Sequence, residues 1–320
     1  MKQFSRTKGV ALLTVLLLIL ILSLLISQIT QLLLKDMRSI KNSEFNNLSA
    51  IYIEFIQSHF KDLFSESLTQ SNASIKKTTI FAVEDYNLEF QGFQVKFMLQ
   101  DLSNCFNINA LFMERDGALI IDQKALVFLK ELLSIMKFNE AEINTIVDQI
   151  IDWVDSDNLP RAYGAENFYY TNPNNAPQRY TSKRLFFHAS ELRQIPGLRN
   201  FYERIQDAIC VIPYSTDFMV NINTLTPNNV LFFSAFLKGQ DTDTAEAIVN
   251  RIPNEGYKNI QDFYNTELEL ADTQFANYLT TRSHALSLTI MLDSGFTSST
   301  FISLMSLKNN SLINLDTYKN

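Results

Sequence analysis

Glycine and proline are both scarce, 8 and 7 of 320 residues, which excludes a collagen-like or low-complexity chain. Cysteine occurs only at 105 and 210, so a disulfide-framework miniprotein is excluded. Basic residues are outnumbered, 27 Lys and Arg against 34 Asp and Glu, for a formal charge of −7. With a pI near 5.1, a long basic surface for nucleic acid is excluded as well. The sequence has no GxSxG, HExxH, P-loop or dinucleotide fingerprint. Its three histidines, His59, His188 and His284, have no zinc-ligand spacing and read as packing or surface residues. These absences argue against an enzyme. What remains is length enough for one large or two ordinary domains, and an apolar share of 46% that is unevenly spread.

Residues 10–34 carry no charge, and the first half of that run is almost wholly aliphatic. About 20 apolar residues span a bilayer as a helix, so the run is long enough. Lys2, Arg6 and Lys8 precede it without any acid, which predicts a cytoplasmic N-terminus and an extracytoplasmic remainder. A cleaved secretory signal has an apolar core of about 7–15 residues, so this core is too long for one. A plain transmembrane anchor and a processed assembly helix both fit. Beyond Leu34, apolar residues recur at spacings of three and four to Leu63 and Phe64, which predicts an amphipathic stalk. Polar 65–79 reads as a link.

Alternation of Phe93, Val95, Phe97 and Leu99 after Gly92 predicts a strand, and alternation returns from Ser283 around a Gly295 turn. Between them the pattern is mainly helical, with a helix expected from an N-cap Ser190. The predicted class is α+β: a long N-terminal helix, a β-sheet core, and an all-α domain inserted between strands. Boundaries fall at a leader 1–9, an assembly helix 10–34 with its stalk to about 64, a sheet core of 65–110 and 277–320, and an inserted domain 111–276. The pair DTAEAIVNRI and NIQDF resembles a helix-hairpin-helix unit, but it lacks the Gly-x-Gly hairpin that cradles DNA phosphates.

The densest chemistry lies in DWVDSDNLPRAYGAENFYY, 152–170. Asp155, Asp157 and Glu166 stand at positions 1, 3 and 12 of an EF-hand-like count, as hard oxygen ligands for Ca²⁺ would. Leu159 and Pro160 occupy positions 5 and 6, so the EF-hand itself is a poor match. Asp155, Asp157, Glu166 and Asn167 can instead hold Ca²⁺ in another loop geometry, with Asp152 assisting. The plain alternative is a solvated acidic loop.

Four motifs carry a resemblance. A short basic leader ending in Gly9, directly followed by an aliphatic helix, resembles the class III signal of type IV pilins and pseudopilins. WVDSDNLPRAYGAEN matches Trp153, Asp155, Asp157, Pro160, Gly164, Ala165 and Glu166 to the pattern of the minor pseudopilin K family of type II secretion systems. Ser190, Glu191, Leu192, Arg193 and the later VNINTLTP are similar to that family too. Asn167 replaces the family's usual acid, and 175–190 departs from its pattern.

The resemblance implies cleavage between Gly9 and Val10 by the prepilin peptidase, N-methylation of Val10, and a mature chain of 311 residues with charge −10. It implies a tip subunit of the pseudopilus, aiding export of folded proteins across the outer membrane. The implied partners are I- and J-type minor pseudopilins, the major pseudopilin, the prepilin peptidase and the inner membrane. Bound calcium is implied for the helical domain. The family's Glu at the fifth mature position is Thr14 here, which suits a first-assembled subunit with no earlier neighbour to neutralise. Cys105 and Cys210 are expected either to form one disulfide, as in some relatives, or to remain two buried thiols. The rival reading is a single-pass, membrane-anchored, extracytoplasmic calcium-dependent enzyme or binding protein.

Overall fold

A computed structural model describes residues 6–70, 75–84, 87–90, 92–175, 178–237, 241–267, 270, 273–308 and 311–319. The leader residues 1–5 lie outside the described residues. One helix, α1 (Arg6–Gln70), dominates the N-terminal part. No glycine or proline occurs from 10 to 91, so nothing in the sequence breaks it. At 1.5 Å per residue, its 65 residues extend roughly 100 Å. Side chains from Leu12 to Leu34 are exposed, and the helix is long and apolar enough to cross a membrane. Ser23 and Thr30 donate their hydroxyls to Ile19 O and Ile26 O, so neither leaves an unpaired donor in hydrocarbon.

From Phe45 the helix has a buried face. Phe45, Ser49, Ile53, Ile56 and Phe64 turn inward at spacings close to the helical period, against a five-stranded antiparallel sheet. The sheet order is β1-β2-β9-β10-β11. Its strands are β1 (Asn87–Phe90), β2 (Phe93–Asp101), β9 (Ala285–Asp293), β10 (Ser298–Lys308) and β11 (Ser311–Lys319). In β2, buried and exposed residues alternate without exception, so Phe93, Val95, Phe97 and Leu99 all face α1. Gly92 and Gly295 take positive φ in the turns that precede β2 and β10.

Two expectations are corrected here. Residues 65–70 continue α1, and Lys77–Glu84 forms a second helix, α2, so the polar 65–79 stretch is not simply a link. Polarity was a poor guide because that stretch contains no helix breaker. Strand β11 has no readable period: at the outer edge of the sheet, Leu312 alone is buried among its described side chains, which blurs the alternation.

β2 and β9 are neighbours, paired from Gln94↔Asp293 to Asp101↔Leu286, although residues 102–284 separate them in the chain. The insertion is therefore wider than 111–276. It is also not purely helical: it carries β3 (Phe106–Asn107) beside β6 (Ile209–Cys210), β4 (Phe112–Arg115) with β5 (Ala118–Ile121), and β7 (Val220–Asn221) beside β8 (Leu279–Thr280). These two- to four-residue pairs are too short for periodicity to reveal. The main helices are α3 (Gln123–Ile135), capped by Asp122, and α4 (Glu140–Val154), which opens on an Asn139–Glu142 capping box. Short helices follow: α5 (Asn167–Tyr170), α6 (Pro196–Arg199), α7 (Tyr202–Ile205), α8 (Val230–Phe233), α9 (Thr242–Arg251) and α10 (Ile260–Thr266). The predicted Ser190 cap is replaced by His188, which begins a 3-10 turn over Ala189–Gln194, while Glu191 reaches back to the N–H groups of Phe187 and His188. Phe106, Phe128, Phe218, Phe232, Phe236 and Phe275 form the aromatic centre of this domain's own core.

Insertion and sheet meet at a buried polar knot. Asp101, the last residue of β2, accepts from Ser103 N (2.8 Å), Thr224 Oγ1 (2.7 Å), Asn221 Nδ2 (3.1 Å) and the Ser283 hydroxyl. Asn221 also donates to Ile75 O at 3.0 Å, tying the VNINT motif to the chain before α2. Cys105 and Cys210 are joined as a disulfide with Cα atoms 5.7 Å apart, beside the β3–β6 pair.

Candidate metal centre

The acidic motif occupies the end of α4 and the loop that follows. Apolar residues Ile143, Ile146, Val147, Ile150 and Ile151 bury one face of α4. The helical period then carries Asp152 into the interior in the last turn, while Asp155 caps the C-terminus. The loop returns to place Glu166 at the N-cap of α5. One oxygen from each of Asp152, Asp155 and Glu166 lies within 4.8 Å of the others. Three carboxylates thus meet at the partially negative end of a helix, an arrangement that favours a cation.

Gly164 makes this approach possible. A Cβ there would stand 2.6 Å from Asp152 Cγ and 2.9 Å from Arg161 N, inside contact distance of both. Asp152 accepts from Arg161 N at 3.2 and 3.3 Å, so the loop folds around its carboxylate. Asp148, one turn earlier on α4, pairs with Arg161 Nε at 3.4 Å and accepts from Tyr163 N at 3.1 Å. The aromatic residues of the motif wall off the interior side: the Trp153 ring meets Tyr170 edge-on at 5.2 Å and stacks with Phe186 at 6.5 Å.

Burial pushes the Asp152 carboxyl up to about 6, helped by the charges of Glu166 and Asp148 and opposed by the bond from Arg161 N. Burial also pushes Asp155 up to about 6, with Asp157, Glu166 and Asp152 adding repulsion and Lys183 opposing it. Asp155 Oδ1 is buried and has no hydrogen-bond partner among the described residues. An orphaned carboxylate oxygen beside two others is a donor set that a hard, oxygen-seeking ion such as Ca²⁺ would satisfy.

The five residues expected from the sequence do not all converge. Asp155 and Glu166 do, and Asp152 joins them as a full member. The Asp157 carboxylate instead closes a local turn by accepting from Leu159 N at 2.7 Å. Asn167 is spent on structure: its Oδ1 accepts from Thr181 N and Oγ1, and its Nδ2 donates to Asn158 Oδ1. One participant was missed. Lys183 Nζ donates to Glu166 Oε1 and Oε2 at 3.2 and 3.0 Å and to the Asp157 carbonyl. Nothing in the local sequence marks it, since it lies in the 175–190 stretch where the motif pattern fails.

At the processing junction, Gly9 and Val10 are both helical, within the first turns of α1. His284 Nδ1 lies 2.9 Å from Ser103 Oγ, beside the polar knot.

A family model described as type II secretion system protein K matches residues 104–214, which include the acidic loop and both cysteines. The chain is 29% identical over 259 residues to a putative type II secretion system protein K of Escherichia coli K12, covering 79% of this chain and 77% of that one. It is 26% identical over 273 residues to protein K of Pectobacterium carotovorum subsp. carotovorum, covering 82% and 81%. Among solved structures, it is similar to a chain in the crystal structure of the GspK-GspI-GspJ complex from enterotoxigenic E. coli. The TM-score there is 0.65 at 20% identity, covering 85% of this chain and 99% of that one, a likeness of fold.

Proposed function

The chain belongs to the type II secretion system protein K family of minor pseudopilins, and from that premise we propose that it sits at the tip of a periplasmic pseudopilus, where it initiates and caps the fibre. One observation carries this reading. The Phe93 ring at the start of β2 lies 5.5 and 5.3 Å from Phe45 and Tyr52, toward the apolar half of α1. β2 then ends at Asp101 by the chain that follows α1, so the insertion grows from the end of the sheet remote from the apolar helix. A domain of residues 102–284 in that place obstructs a further subunit above it, whereas α1 leaves its lower half open to neighbours. Thr14, in place of the family's Glu, suits a subunit that meets no earlier one.

In this reading the Gly9–Val10 bond is cut on the cytoplasmic side, and everything beyond Leu34 lies in the periplasm. That compartment is oxidising, which agrees with a Cys105–Cys210 bridge. The solved enterotoxigenic relative is in complex with GspI and GspJ, and we carry equivalent partners over to this chain. Ile40 and Ile51 are exposed on the stalk and supply apolar surface for them. Detergent-purified full-length chain, co-expressed with I- and J-type subunits, is expected to elute as a ternary complex that Ile51→Asp weakens. Elution of this chain without them would contradict the tip assignment.

Ca²⁺ at Asp152, Asp155 and Glu166 would neutralise their repulsion and fix the loop around α4 and α5. Titration calorimetry of the full chain is expected to show calcium binding that Glu166→Gln abolishes. Gly164→Ala is expected to abolish it equally, by displacing Asp152, although glycine offers no ligand. Unchanged binding in both variants would remove the site.

A further inference from the structure

We propose that Lys183 is a tethered cation which shares the oxygen cage with the divalent ion, so that the Lys183–Glu166 bond and bound calcium exclude one another. This rests on the calcium reading of the cage and adds a competitor from within the chain.

The geometry is specific. The Glu166 side chain is 1% exposed, and both of its oxygens are bonded to the same ammonium. The third donor of that ammonium goes to the Asp157 carbonyl, an oxygen of the kind calcium sites also use. Lys183 is held there by its backbone: φ is +53°, and its N–H donates to Trp153 O at 3.1 Å. Ser182 Oγ fixes the same carbonyl at 2.9 Å.

One positive charge faces three carboxylates, and Asp155 Oδ1 is still left without a donor. The lysine therefore neutralises the cage only in part, and a divalent ion would do so more fully. The two cannot be present together. An ion bonded to Glu166 would lie in the space of the ammonium, and their charges repel. Calcium asks for about six to eight oxygens, and Lys183 holds three candidate atoms among them, two on Glu166 and the Asp157 carbonyl. The Lys183 side chain is 25% exposed, on a flexible four-carbon stem, so it has a way out to water. The consequence is a site whose ion affinity is set down by its own lysine, and whose loop keeps partial order when calcium is scarce.

The test uses the detergent-solubilised full chain, with calcium chloride and EDTA as the only additions. Lys183→Met removes the charge and keeps the stem. It is expected to bind calcium roughly tenfold tighter than the parent, while melting at a lower temperature in EDTA. Equal calcium affinity in parent and variant would overturn the exclusion while leaving the calcium site intact. No calcium heat in either chain would overturn the calcium reading, and the shared cage with it. A second readout needs no variant. In the parent chain, acetylation of Lys183 by acetic anhydride, followed by peptide mass spectrometry, is expected to rise several-fold on adding calcium. An unchanged or lowered rate would overturn the displacement.

Discussion

Replacing both Cys105 and Cys210 by serine is expected to lower the unfolding free energy by roughly 4–5 kcal/mol, the chain-entropy value for a loop of this length. The bridge spans 105 residues and encloses the whole acidic loop after α4. What it fastens is weak by itself. β3 and β6 pair over only two residues, far short of a self-sufficient sheet. Asn107 reinforces that joint by donating to Ser215 O and accepting from Ile212 N, and Asn109 bonds both the N–H and the C=O of Phe186. Such polar ties depend on precise placement, which the disulfide secures. Urea unfolding of the oxidised parent and of the double serine variant measures the difference. A loss below about 1 kcal/mol would show that the core holds the joint unaided.

The second large effect is expected at Asp101. Truncation to alanine leaves Ser103 N, Asn221 Nδ2, Thr224 Oγ1 and the Ser283 hydroxyl without their shared acceptor in a buried site. Each orphaned donor costs about 1–3 kcal/mol, and hydroxyls can turn to other partners, so a total near 4 kcal/mol is expected. Asp101→Asn should cost about half as much, because its carbonyl oxygen keeps some of the donors while its amide opposes Asn221. Thermal unfolding of both variants checks the order; equal, small losses would mean the knot is not what joins insertion to sheet.

The same knot gives the junction a pH dependence. Burial holds His284 below its ordinary value near 6.5, against the attraction of Asp101 and Asp217. The unfolded chain then takes up a proton that the folded chain does not, so stability falls as pH drops below 6.5. His284→Asn should flatten that slope.

Much of this architecture is readable from the residues. The uncharged run, the alternation in 93–99 and the return of alternation after Ser283 depend on local period alone, and local period is what a sequence displays. The pairing of β2 with β9 across 102–284 is a long-range event; the order of patterns suggests it, but its end points were misplaced by several residues. The two-residue strands β3, β6, β7 and β8 have no period to read. At the candidate metal site, Asp155 and Glu166 stood out because their spacing matched a known donor pattern. Asp157 matched that spacing equally well and Asn167 adjoins it as an oxygen donor, yet the Leu159 N–H claims Asp157, while Thr181 and the Asn158 amide claim Asn167. Lys183 could not be found that way, since its role comes from where the 181–184 backbone crosses the end of α4. The Gly164 requirement is likewise steric and visible only once Asp152 is in place.

The proposed function requires this chain to be a processed pseudopilin rather than a plain anchored protein. Intact-mass measurement of the full chain, made with and without a co-expressed prepilin peptidase, tests that most directly. Loss of residues 1–9 and gain of one methyl group on Val10 are expected only when the peptidase is present. A chain that keeps Met1–Gly9 in the presence of active peptidase would contradict it.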